Sequence, residues 1–318
     1  MEISILQFIK AKGVGAAAIK RFCSFVRQNQ LRVDELSCRQ DVCFLVEQIG
    51  IKADFARSIV AKRDEARLEW DRLRENNVEL LWLGSEYYPS RVEEVLGSDA
   101  PPYLFVKGNV DILNNDSIGV CGSRHASQCG MELANDIASK LAHNGIGIVS
   151  GNAAGVDSVS HEATLRNGGE TIFVLPVGIL NFSPRRETEM LLSSENHLVV
   201  SQFPPEEMWF AHNAMARNSM IVAISKTMLV VEAGASGGSL AAGKRALELG
   251  HPLFAIKYSN SPKSAVGNDS LIMNGAVPIC QGCNGLPDLS LLIKSAKRRE
   301  SHEKKTHMVQ PSLFRNVL

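Results

Sequence analysis

Three short stretches bring glycines, hydroxyls and a cation together where an apolar run gives way to a helical pattern: Gly122-Ser123-Arg124, Ser150-Gly151, and Gly234-Ala235-Ser236-Gly237-Gly238-Ser239. Glycine lets backbone N–H groups approach an anion closely. The helix that follows offers unpaired N–H groups and the positive end of its dipole, and a guanidinium grips two oxygens at once. The chemistry these turns suit is the binding of phosphate. Neither G-x-G-x-x-G after the first run nor G-x-x-x-x-G-K-[ST] anywhere is present, so a dinucleotide or a hydrolysed triphosphate is not the expected ligand. Each turn alone reads equally well as a tight strand-to-helix connection; three of them converging make an anion site the better reading.

The elements that must hold those turns follow from periodicity. Apolar runs at 117–121, 146–149, 171–176, 198–203, 228–232 and 252–256 have strand length, and helical patterns separate most of them, with Leu133, Ile137 and Leu141 on one face of the first. Strands alternating with helices predict an α/β fold with a doubly wound, mostly parallel sheet, which binds ligands outside the carboxyl ends of its strands. Upstream, a strand is expected at 78–83, a short helix carrying Val92, Val95 and Leu96, and an extended run at 103–107. The first residues read as helices around Lys12-Gly13-Val14-Gly15, followed by helices at 42–49 and 54–76. That glycine turn looks like a helix-hairpin-helix element, which exposes N–H groups to a DNA phosphate; the same turn also joins helices in bundles that touch no nucleic acid. The expected organisation is a small all-helical N-terminal domain over 1–77 (helix-hairpin-helix or SAM-like), an α/β domain over 78–293, and a basic, disordered tail over 294–318.

Composition narrows the classes. Across 318 residues the formal net charge is zero and charged residues make up 21%, so nucleic-acid binding must come from a local patch. Seven scattered cysteines suit a reducing compartment, and no stretch reads as a secretory or membrane-spanning segment; a cytoplasmic protein is expected. The pair Cys280 and Cys283 lacks a second metal-spaced pair and reads as ordinary cysteine, so no metal or cofactor is expected. Asp157 and His161 lie one helical turn apart; a helix cap and a packed histidine are expected there rather than a catalytic pair.

With these residues in view, the chain resembles the DNA-processing protein A (DprA, or Smf) family. The likeness runs from about Tyr88 to Ala276. It rests on Tyr88-Pro89, Pro102 through Gly108-Asn109, Gly122-Ser123-Arg124, Ser150-Gly151 with Ala153, Gly155, Val156, Asp157 and His161, Phe203-Pro204-Pro205, Arg217-Asn218, Glu232, Gly238-Ser239-Leu240, Gly267-Asn268 with Leu271-Ile272, and Gly275-Ala276. The resemblance implies an extended Rossmann-like domain that binds single-stranded DNA, helps load a RecA-type recombinase in DNA uptake (natural transformation) or repair, forms a homodimer and performs no catalysis. It places Gly122, Ser123, Arg124, Ser150, Gly151, Arg217 and Asn218 around a pocket, with Gly238 and Ser239 on the third turn. A C-terminal winged-helix domain, carried by several members, is not expected here.

Departures from the family pattern fall on cations: Ala154 and Ser219 stand where arginines are usual, and Ser236 where a lysine is. Each lost cation removes a phosphate contact, so Arg124 becomes the residue on which binding most depends. In the tail, Gln310-Pro311-Ser312-Leu313-Phe314 looks like the pentapeptide by which bacterial proteins dock on the DNA polymerase sliding clamp, with Gln310, Ser312, Leu313 and Phe314 as its matching positions. Two other functions compete. One is a small-nucleotide sensor or nucleotide-processing enzyme, for which Glu232 is the one candidate carboxylate; the other is an interaction scaffold whose phosphate site has decayed.

Overall fold

The computed structural model describes residues 1–31, 41–280 and 287–297. Helices α1 (Glu2–Lys10) and α2 (Ala16–Gln28) flank the glycine turn, and α3 (Val42–Glu47) is capped by the Asp41 carboxylate, which accepts from the Phe44 N–H at 2.8 Å. The single helix expected over 54–76 is two, α4 (Ala53–Ala61) and α5 (Arg63–Glu75). Lys62 breaks the ladder at φ −89° and ψ 11°, its N–H reaching back three residues to the Ile59 carbonyl. The break lets α5 lie along α1.

Strands and helices then alternate as expected: β1 (Val78–Trp82), α6 (Ser90–Leu96), β2 (Tyr103–Gly108), β3 (Ser117–Cys121), α7 (Gln128–His143), β4 (Gly147–Ser150), α8 (Val156–Arg166), β5 (Thr171–Val174), α9 (Arg186–Glu189) and β6 (His197–Ser201). The chain continues through α10 (Ala211–Ile224), β7 (Thr227–Val230), α11 (Gly238–Glu248), β8 (Leu253–Lys257), α12 (Val266–Met273), β9 (Val277–Cys280) and α13 (Ser290–Ala296). All nine strands form one sheet in the order β1-β2-β6-β5-β4-β3-β7-β8-β9. From β6 to β9 neighbouring strands are parallel, while β2 pairs antiparallel with both β1 and β6.

Alternation along each strand sends side chains to opposite faces. Ile172 and Val174 of β5, Leu198 and Val200 of β6, and Met228 and Val230 of β7 pack with residues of α6, α10, α11 and α12. On the other face Ile118, Ile148, Leu229 and Phe254 meet α7, α8 and α13, while Phe105, Phe173 and Val199 join Leu6, Phe8 and Phe22 of the N-terminal helices. Those helices and the sheet therefore share one apolar core rather than two.

Two further differences from the sequence reading have physical causes. Strand β9 was not expected: it is four residues long, contains Pro278, and sits at the sheet edge, where a missing N–H breaks no ladder. Helix α13 runs on through Lys294 to Ala296, past the tail boundary expected at 293, because Leu292 and Ala296 are fully buried in the core beside α7.

The shared core makes a prediction. Phe105→Ala, which empties a site between β2 and the N-terminal helices, should cost about 3–5 kcal/mol. In urea, tryptophan fluorescence and far-ultraviolet circular dichroism should report one coincident transition at a lower midpoint. Two separated transitions would show that the helical layer folds on its own.

Candidate functional site

From β3 the chain steps outward through β4, β5 and β6, and from β7 it steps the other way through β8 and β9. β3 and β7 are neighbours, so the winding reverses between them, the place where open α/β sheets bind ligands. The three glycine turns follow β3, β4 and β7, which are adjacent, and all three arrive at one edge.

The first two turns interlock. Gly122 has no room for a side chain because Val156, the first residue of α8, rests on its Cα; Gly155, at φ +81°, lies against the Ser123 carbonyl and Arg124. The Val156 N–H donates to that carbonyl at 3.4 Å, and the Ser123 hydroxyl accepts from the His125 N–H at 3.1 Å. Arg124 is exposed and has no hydrogen-bond or ion-pair partner among the described residues.

Behind the turns Arg217 and Asp157 are buried near one another. The Arg217 guanidinium lies directly over the Cα of Gly151, and only 8% of the residue is accessible. Its Nε–H finds no acceptor among the described residues, and neither does Asn213 Nδ2 one turn earlier on the same helix. Asp157 is enclosed beside it. Burial raises the pKa of that carboxyl; Arg217, the Ala153 N–H and Arg124 pull the other way. Ser150 is itself fully buried and donates to the Val120 carbonyl at 2.6 Å, tying β4 to β3.

On the third turn, Gly238 is exposed and Ser239 partly so. Asn218 Nδ2 donates to the Gly238 carbonyl at 3.2 Å, fastening α10 to this turn. Ser219 accepts from Arg245 Nε at 3.2 Å, and Arg245 also pairs with Asp99 and Glu248, each at 3.4 Å. Helices α8 and α11 begin at Gly155 and Gly237 with no side-chain cap, although the first N–H of α8, that of Val156, is already taken by the Ser123 carbonyl. The helix after the first turn has one: Ser127 caps α7 through the Gly130 N–H at 3.0 Å, and Glu232 accepts from both the N–H and the hydroxyl of Ser127. A helix start without a side-chain cap thus follows two of the three turns.

Asp157 is not the helix cap expected: Gly155 holds the N-cap position without a capping bond, and Asp157, in the first turn of α8, lies near Arg217. His161 is the packed histidine the sequence suggested. Its Nε2 donates to the Gly151 carbonyl at 2.7 Å, its Nδ1 lies 2.5 Å from the Thr171 hydroxyl, and its ring stacks on Phe173 at 4.0 Å. Asn213 was missed by sequence reading, although its spacing of four from Arg217 places it on the same helix face. Among the described residues no cluster of histidine, cysteine and carboxylate side chains could hold a metal ion, and no helix is long and apolar enough to cross a membrane. Cys283 and the Gln310 to Phe314 stretch lie outside the described residues.

The fold is that of a Rossmann-like protein with three glycine turns gathered at its switch point. Residues 79–288 match the family model for DNA recombination-mediator protein A, and the chain belongs to that family. It is 33% identical over 242 residues to Protein Smf of Escherichia coli K12, a match covering 74% of this chain and 64% of Smf. It is 36% identical over 196 residues to DNA processing protein DprA of Streptococcus pneumoniae, covering 61% of this chain and 68% of that protein. The chain thus spans just under two thirds of Smf. The crystal structure of the S. pneumoniae DprA superposes with a TM-score of 0.73 at 27% identity, covering 88% of this chain and 94% of that one. A structure of DNA processing protein A from Helicobacter pylori, described for its single-stranded DNA binding mode, shares the fold at a TM-score of 0.55 and 24% identity, covering 63% of this chain and 90% of that one.

Burial holds His161 neutral, with a pKa lowered from 6.5 to about 4, and His251 behaves likewise. Between those values the unfolded chain binds protons that the folded chain does not. The stability these histidines contribute is therefore complete above about pH 6.5 and is lost as the pH falls toward 4. Urea midpoints measured across this range should decline on acidification, with a shallower decline in His161→Gln. An unchanged slope would mean that His161 does not titrate in this way.

Proposed function

We propose that this chain binds single-stranded DNA at the switch-point edge and acts as a recombination mediator in DNA uptake or repair, delivering the strand to a RecA-type recombinase. In this reading it is a cytoplasmic homodimer, needs no cofactor and catalyses no reaction. The observation that carries it is the buried Arg217, whose Nε–H has no acceptor among the described residues, flanked by the two helix starts at Gly155 and Gly237 that carry no side-chain cap. Gly122, Ser123, Arg124, Gly151, Gly238 and Ser239 would meet phosphate oxygens. Ser150 and Asn218 would hold the turns in place.

Contacts of this kind grip the backbone and leave the bases unread, as a loader of arbitrary sequence requires. Family membership and the DNA-processing names of the relatives support the same reading. The nucleotide-cleaving alternative loses its carboxylate, since Glu232 is fully enclosed and bonded to Ser127. Docking of Gln310, Ser312, Leu313 and Phe314 on a sliding clamp belongs to the same proposal, as a tether separate from the DNA site.

The test is fluorescence anisotropy of a labelled single-stranded oligonucleotide at 50 and 200 mM salt. With about three phosphate contacts, affinity should fall roughly ten- to twentyfold over that range. Arg124→Ala should weaken binding about tenfold at low salt, with duplex DNA bound far less well than the single strand. Absence of binding by the unaltered protein would sink this reading.

A further inference from the structure

Beside the glycine turns, on the same edge of the sheet, the loop after β6 carries an apolar cluster to which the phosphate site assigns no task. Met208, Trp209 and Phe210 are 66%, 53% and 46% exposed, and Met215 on the following helix is 52% exposed. The Phe210 ring stacks on His212 at 5.5 Å and 22°. The loop up to this point is firmly held: Glu207 accepts from the Gly178 N–H at 2.8 Å and from Asn181 Nδ2 at 3.0 Å, and Pro205 accepts from the Leu180 N–H at 3.0 Å. A fixed loop that leaves large rings in water marks a binding surface.

We propose that Trp209 and Phe210, with His212 behind Phe210, form a stacking platform for the unpaired bases of a strand whose phosphates lie on the glycine turns. The proposal rests on the DNA-binding reading and extends it from backbone to base. Phe210 is the extended residue that leads into α10, and Asn213 and Arg217, four apart, share one face of that helix. Seven residues at 1.5 Å put the platform about 10 Å along the helix from the buried guanidinium. A strand of a few nucleotides covers that distance. Of the acidic side chains around the loop, Glu206 is paired with Arg72 and Glu69 with Lys10.

Stacking also supplies what the turns lack. Arg124 is the exposed cation on those turns, and Arg217 is buried beside Asp157. Aromatic faces hold any base without reading it, consistent with a binder of arbitrary sequence.

The experiment compares an oligothymidylate with an abasic phosphodiester chain of the same length, both labelled, titrated with the full chain while anisotropy and tryptophan emission are recorded. Trp70 and Trp82 are half-buried, so Trp209→Leu identifies the Trp209 signal. The oligothymidylate should quench Trp209 and the abasic chain should not. Trp209→Ala and Phe210→Ala should each weaken the base-bearing strand about tenfold and leave the abasic chain unchanged, whereas Arg124→Ala should weaken both. If the aromatic variants bind oligothymidylate as the parent does while Arg124→Ala still loses it, the platform is wrong and the DNA reading stands. If the parent binds neither chain, both fall. A concentration-dependent blue shift of Trp209 without DNA would mean that a second copy covers the cluster, and would also overturn the platform.

Discussion

The carboxylate of Glu232 joins the two halves of this fold. It lies fully enclosed at the end of β7 and accepts the backbone N–H and the hydroxyl of Ser127, at the start of the helix that leaves β3. β3 and β7 are the strands between which the winding reverses, so this one group pins the seam of the sheet. Burying a charge is costly, and here two hydrogen bonds and the positive end of α7 compensate it. One helix start is capped in this way, whereas those of α8 and α11 carry no side-chain cap.

A second constraint acts at the level of single atoms. Gly122 and Gly155 let the first two turns lie in van der Waals contact, and this brings Arg124 to the rim while Asp157 is carried beneath it. Arg217 then lies over Gly151 near the buried Asp157, its Nε–H without an acceptor among the described residues. Such an arrangement is preorganised. Burial restricts this side chain, so an anion bound there as proposed would not have to order a flexible arginine from solvent.

Much of this architecture was legible in the chain. The strand and helix alternation, the three turns and the packed His161 follow from period, glycine placement and residue type, because these are local properties. The break at Lys62, strand β9 and the end of α13 were not. Lys62 has no breaker residue type, Val277–Cys280 is short and contains a proline, and α13 is held by burial of Leu292 and Ala296 against elements distant in sequence. At the site, Ser150 and Asn218 look like ligand groups on residue type alone, yet they hold neighbouring backbone in place.

By itself the sequence determined the α/β class, the anion-suited chemistry of the turns, and membership of a recognisable family through residues spread from Tyr88 to Ala276. Only the tertiary structure decided which groups face a ligand. Strand order brought the turns after β3, β4 and β7 to one edge, packing sealed α7 with Glu232, and burial turned Asp157 toward Arg217. The physical reason is that residue type sets what a side chain can bond to. Which partner it meets depends on contacts between segments tens of residues apart, and no local pattern encodes those.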